Sequence, residues 1–62
     1  MNVKDEFFEN LPLLLAVPHA ARILGISRAA AYRLVNSGEL PNRRLGGRVY
    51  VVTASLREIG AA

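Results

Sequence analysis

The chain has 62 residues, a formal net charge of +3 and no cysteine. A disulfide frame and a thiolate metal site are thereby excluded, and the length allows one small domain that buries only about 60% of its unfolded surface. The composition is 52% hydrophobic, enough for a core, but much of that share is alanine, so stability is expected to lean partly on a bound partner.

Residues 1–12 read as an N-terminal arm and residues 13–62 as a folded domain. The arm sets Lys4 against Asp5, Glu6 and Glu9, and the rest of the chain sets seven arginines against Glu39 and Glu58. That separation puts the basic character on the domain. All cations after Lys4 are arginine, which forks onto phosphate and guanine better than lysine does. A polyanion partner follows, with nucleic acid preferred to a membrane surface. The longest apolar run, Leu11 to Val17, contains Pro12 and is far short of the roughly 20 residues of a membrane span. No basic leader opens the chain, so a cytoplasmic location is expected.

In the arm, Phe7 and Phe8 are adjacent and cannot both face a core from one helix. One is expected to pack and the other to be exposed, available to a neighbouring protomer. Leu11–Leu15 should be extended and docked on the core, adding a short strand to a later hairpin. Val17 to Leu24 reads as a helix, with Val17, Ala20, Ala21 and Leu24 forming one apolar stripe. Pro18 suits its first turn. Ala16 occupies the N-cap, where a hydroxyl or carboxylate would serve better by about 1 kcal/mol. His19 is the sole histidine, expected at an exposed angle, and a metal role is not expected of it. Arg22 is a candidate for a phosphate or for pairing with Glu39.

Gly25 should end the first helix in the left-handed conformation, with Ile26 plugging the turn. Ser27 then caps a second helix from Arg28 to Asn36 or Ser37, terminated by Gly38. At about 100° per residue, Ala31, Leu34, Val35 and Gly38 point one way. Arg28, Ala29, Tyr32, Arg33 and Asn36 point the other. That outward set suits a helix in a DNA major groove. Arginine bonds guanine bidentately, asparagine bonds adenine, and alanine permits close approach or touches a thymine methyl. A tyrosine hydroxyl reaches phosphate. The plain alternative is a solvated helix face.

Pro41 stops the second helix from continuing. Two short extended runs then flank Gly46-Gly47, a hairpin signal, with Arg43, Arg44 and Arg48 around the tip. A two-residue turn would pair Leu45 with Arg48 and Arg44 with Val49, mixing charge and apolar groups on each face. The tight hairpin that Gly-Gly signals is therefore weighed against a bulge or a longer turn. As a wing, the hairpin would bring Arg44 and Arg48 to phosphates or the minor groove. Thr53 is placed as the cap of a last helix, Ala54 to Ile59, ended by Gly60, with Leu56 and Ile59 closing the core and Arg57 and Glu58 in water.

No catalytic set assembles. The sole aspartate is Asp5, paired carboxylates occur only in the arm, and Leu45-Gly46-Gly47-Arg48 lacks the lysine and helix of a phosphate loop. The chain is not expected to be an enzyme or to need a cofactor.

The stretch VPHAARILGISRAAAYRLVNSGELPNRRLGGRVYVV resembles the MerR/excisionase-like winged helix-turn-helix group. The likeness rests on Ala20-Ala21, Leu24-Gly25-Ile26-Ser27, Tyr32-Arg33-Leu34, Gly38-Glu39-Leu40-Pro41 and Gly46-Gly47-Arg48, and covers roughly residues 13–59. It implies a mainly α fold with a small β-hairpin. MerR-type regulators add a dimerising coiled coil and an effector domain, so a domain of this length resembles instead the excisionases, or recombination directionality factors, of temperate phages, mycobacteriophages among them. Such proteins bind repeated attachment-site sequences side by side, bend the DNA and turn a tyrosine integrase toward excision. The resemblance thus implies as partners double-stranded DNA, the integrase and neighbouring copies, at the nucleoid of a bacterial host. The alternative on the same fold is a small MerR-like transcriptional regulator, and a third is a protein-binding adaptor. Ala16 in place of a polar cap, and Ala30 and Ala31 in the second helix, depart from the pattern.

Overall fold

The leucine run before the first helix becomes a strand. In the computed structural model, which describes residues 7–61 (side chains 7–59), β1 (Leu14–Ala16) leads directly into α1 (Val17–Leu24) and α2 (Arg28–Ser37), followed by β2 (Asn42–Leu45), β3 (Arg48–Val52) and α3 (Thr53–Ala61). Of the expected arm, residues 1–6 lie outside those described, as does Ala62. Residues 7–9 form a helical turn. Phe8 packs against the core while Phe7 is exposed, as two adjacent phenylalanines require. Their rings meet edge to face at 5.3 Å, and the Arg57 guanidinium lies 5.7 Å from the Phe8 ring centre.

The two central helices end and begin as their residues dictate. Gly25 adopts φ 75°, and its N–H and that of Ile26 donate to Arg22 and Ala21 carbonyls at 3.3 and 3.0 Å. These two bonds are the Schellman pattern that satisfies the last turn of a helix. Ser27 caps α2, its hydroxyl accepting from the Ala30 N–H at 3.1 Å. Ala20, Ala21 and Ala31 are buried where the helices meet, and their single methyls let the two backbones approach closely.

Ala16 caps α1 with extended backbone and no side-chain bond. Pro18 has no N–H to offer, so a hydroxyl here would accept from His19. Ala16→Ser should therefore raise stability by about 1 kcal/mol, read as roughly 4–8 °C in melting temperature. An unchanged or lower midpoint would contradict this account of the cap.

The strands form an antiparallel sheet in the order β1-β3-β2. The leucine run thus adds its short strand to the hairpin, pairing Leu15 with Val51. The hairpin has the tight turn that Gly46-Gly47 signals, and the alternative of a bulge or longer turn falls away. Leu45 pairs with Arg48 and Arg44 with Val49, so the connection is the tight two-residue one, without a bulge or longer loop. Gly46 and Gly47 both have positive φ, 58° and 82°, as the type I′ turn demands. Mixed faces are tolerated because residues 43–48 are all exposed. Facing requirements act only nearer the base, where Val51 is buried and Val49 packs on the core.

The last helix corrects three expectations. It begins at Thr53 and runs through Gly60 to Ala61. Thr53 does not cap it; that hydroxyl is buried and donates to the Pro12 carbonyl, while the Thr53 N–H donates to Leu13 at 3.0 Å. These bonds extend the β1–β3 ladder by one rung. Leu56 is buried as expected, but Ile59 is about half exposed, in a shallow groove with Leu24, Leu34 and Leu40. The core lies between the sheet and the helices, with Leu15, Val17, Leu40, Val51 and Leu56 its largest fully buried side chains. Each contributes about 1.5–3 kcal/mol through burial.

Candidate nucleic-acid interface

Side chains of α2 alternate between core and solvent at helical spacing. Ala31 and Val35 are buried and Leu34 is half-buried against the core, whereas Arg28, Ala29, Tyr32, Arg33 and Asn36 are exposed. All five outward residues expected from periodicity therefore share one accessible face. The first turn of α2 has no acidic residue, so nothing there offsets the partial positive charge of the helix N-terminus.

Arg22 stands exposed on α1. It lines a depression at the elbow of the two helices with Pro18, Ala21, Ile26 and Arg28. Its candidate partner Glu39 accepts instead from the Ser37 hydroxyl at 2.9 Å and lines a separate groove with Leu34 and Ile59. The elbow thus carries two arginines and no carboxylate among its lining residues. His19, in the first turn of α1, is half-buried and not fully exposed as expected.

Pairing register distributes the wing arginines over two faces, because side chains directly opposite one another in a sheet lie on the same side. Arg43 sits opposite Tyr50 and Leu45 opposite Arg48, which places these four on one face. Arg44 shares the other face with Asn42, Val49 and Val51. Among the described residues, no ion pair engages Arg22, Arg28, Arg33, Arg43, Arg44 or Arg48. Six guanidiniums are thus displayed without internal neutralisation on α1, α2 and the wing.

Helix and wing meet in one groove. Its walls are Tyr32 from α2, Arg48 and Tyr50 from β3, and Ala16 and Pro18 from the start of α1. Tyr50 and Pro18 were not marked by residue pattern, since their place in the groove depends on how the hairpin docks. Asn42 was missed too. Its side-chain amide donates to the carbonyls of Val35 and Leu40, at 3.3 and 3.0 Å. One bond reaches the last turn of α2 and the other the segment after it, so this side chain ties the foot of the wing to the helix. A single asparagine after proline gives no local sign of that role.

The chain matches the family described as helix-turn-helix domain over residues 14–59. No curated protein and no solved structure matches it significantly. Among the described residues, no helix is long and apolar enough to cross a membrane.

Proposed function

The chain belongs to the helix-turn-helix domain family, a class of sequence-specific duplex-DNA readers, and from that premise we propose that it is an architectural DNA-binding protein of the excisionase kind. In this reading α2 lies in the major groove. Arg33 and Asn36 read base edges, Ala29 permits close approach, and Arg28, Tyr32 and Arg22 hold phosphates. The wing reaches the adjoining backbone or minor groove with Arg43, Arg44 and Arg48. The observation that carries the proposal is the single groove shared by Tyr32 of the helix and Arg48 of the wing, bordered by unneutralised arginines. A cylinder of phosphate charge is the shape and sign that complements it.

One such reader makes few base contacts, so a lone copy binds weakly. Copies on adjacent repeats gain affinity through effective concentration, and the resemblance to temperate-phage excisionases supports repeated attachment-site sequences as the target. The product is bent DNA that directs a tyrosine integrase toward excision. Gel-shift ladders and footprints on attachment-site DNA should show several adjacent copies, and adding the protein to an integrase reaction should raise excision at the expense of integration. One unbent site together with altered transcription of a neighbouring gene would favour a small MerR-like regulator instead.

The wing's part is separable from the helix's. Arg48→Ala should weaken binding to all duplexes alike and reduce the slope of log affinity against log salt by about 0.9, the share of one phosphate contact. A loss confined to one sequence would refute a phosphate role for Arg48.

A further inference from the structure

We propose that Leu45 is a wedge, an apolar side chain at the wing tip that enters the minor groove at a base step, unstacks it and sets the bend. This rests on the DNA-binding reading above and adds to it the residue that deforms the duplex. Leu45 is 55% exposed and does not pack on the core, whereas Val49, on the other face of the hairpin, does. Burial within the fold therefore does not account for a leucine here. It is the last strand residue before the turn, and beyond it stand only Gly46 and Gly47, around whose Cα atoms an added Cβ would meet nothing within 4 Å. Leu45 is thus the outermost apolar bulk on a bare tip, free to approach a surface without steric interference from its own turn.

Charge around the leucine selects its partner. Arg44 precedes it, Arg48 sits directly opposite, and Arg43 shares its face. An apolar protein surface closing over Leu45 would strip water from these guanidiniums without supplying anions, which is costly. A minor groove supplies phosphates on both walls and stacked bases at its floor, so cations and leucine are accommodated together. Apolar wedges inserted between base steps from the minor groove kink duplexes by roughly 20–90°. The two-residue turn also fixes the register of the hairpin, and a wedge requires such a rigid mount.

The test uses the whole chain and short duplexes selected by it from a random pool. The duplexes carry end-labelled dyes to report bending and 2-aminopurine at steps along the wing-side minor groove. Wild type should shorten the dye separation and brighten the analogue at one step. Leu45→Gln, similar in volume but polar, should still bind yet lose both signals, and Leu45→Met should keep them. Equal bending by wild type and Leu45→Gln, or no bending by wild type on a duplex it binds, overturns the wedge. So does a change in self-association of Leu45→Gln without DNA, which would assign the leucine to a protein contact. Failure of wild type to bind any selected duplex would instead overturn the DNA-binding reading itself.

Discussion

Leu40→Ala should leave a chain that melts at least about 10 °C lower than wild type and binds DNA only with a folding penalty. Leu40 is 1% exposed. It follows α2, and its N–H donates to the Leu34 carbonyl at 3.1 Å, so the side chain is locked into the junction between helix and wing. Removing a buried leucine costs about 2–5 kcal/mol, including the cavity left behind. A domain of 62 residues at roughly 0.05–0.15 kcal/mol per residue has only about 3–9 kcal/mol to lose. At about 4–8 °C per kcal/mol for so small a domain, thermal melting followed by circular dichroism resolves the effect easily. Duplex at about a hundred times its Kd should restore roughly 2.7 kcal/mol, and the melting temperature should rise accordingly. A variant that melts within a few degrees of wild type would show that Leu40 does not hold the junction.

Arg33→Ala should lower affinity for the preferred duplex by about 1–3 kcal/mol, roughly 5- to 150-fold in Kd, and leave affinity for random DNA nearly unchanged. Arg33 is exposed at the middle of the outward face of α2, one residue after Tyr32, without an ion pair among the described residues. A bidentate contact from such a position reads one guanine, so its removal should also flatten preference at a single base position. Competition binding against a randomised pool measures both quantities. Equal loss on specific and random duplexes would make Arg33 a phosphate anchor and move base reading to Arg28 and Asn36. The contrast with Arg48→Ala, expected to act on all duplexes through salt dependence, separates reader from wing.

Much of the fold was legible because it is governed by short-range rules. The stripe Val17, Ala20, Ala21 and Leu24 has a helix period, Gly25 and Gly38 stand where the left-handed exit is needed, and Ser27 caps as its type predicts. The outward residues of α2 follow from the same period, and the winged helix-turn-helix architecture from the order of these pieces. What escaped depends on contacts distant in sequence. Thr53 looks like a cap from its neighbours alone, but its hydroxyl bonds Pro12, which only the sheet brings near. Ile59 fits an apolar spacing yet lies at the rim of a core too small to cover it. The two faces of the wing were not legible because mixed faces are penalised where one side is buried, and the exposure of the tip removes that penalty. Asn42 and Tyr50 belong to the site only because the wing docks on α2.

With strand order β1-β3-β2, β2 forms a border whose outward backbone groups have no neighbouring strand among the described residues, a template on which another chain can zip. Arg43 and Arg44 stand along that border, and repulsion between like-charged borders opposes fibre-like stacking. In the proposed reading, solubility and polyanion binding would act on the same two codons, and a drift toward neutral residues there would expose the chain to clumping at the moment its hold on nucleic acid weakened.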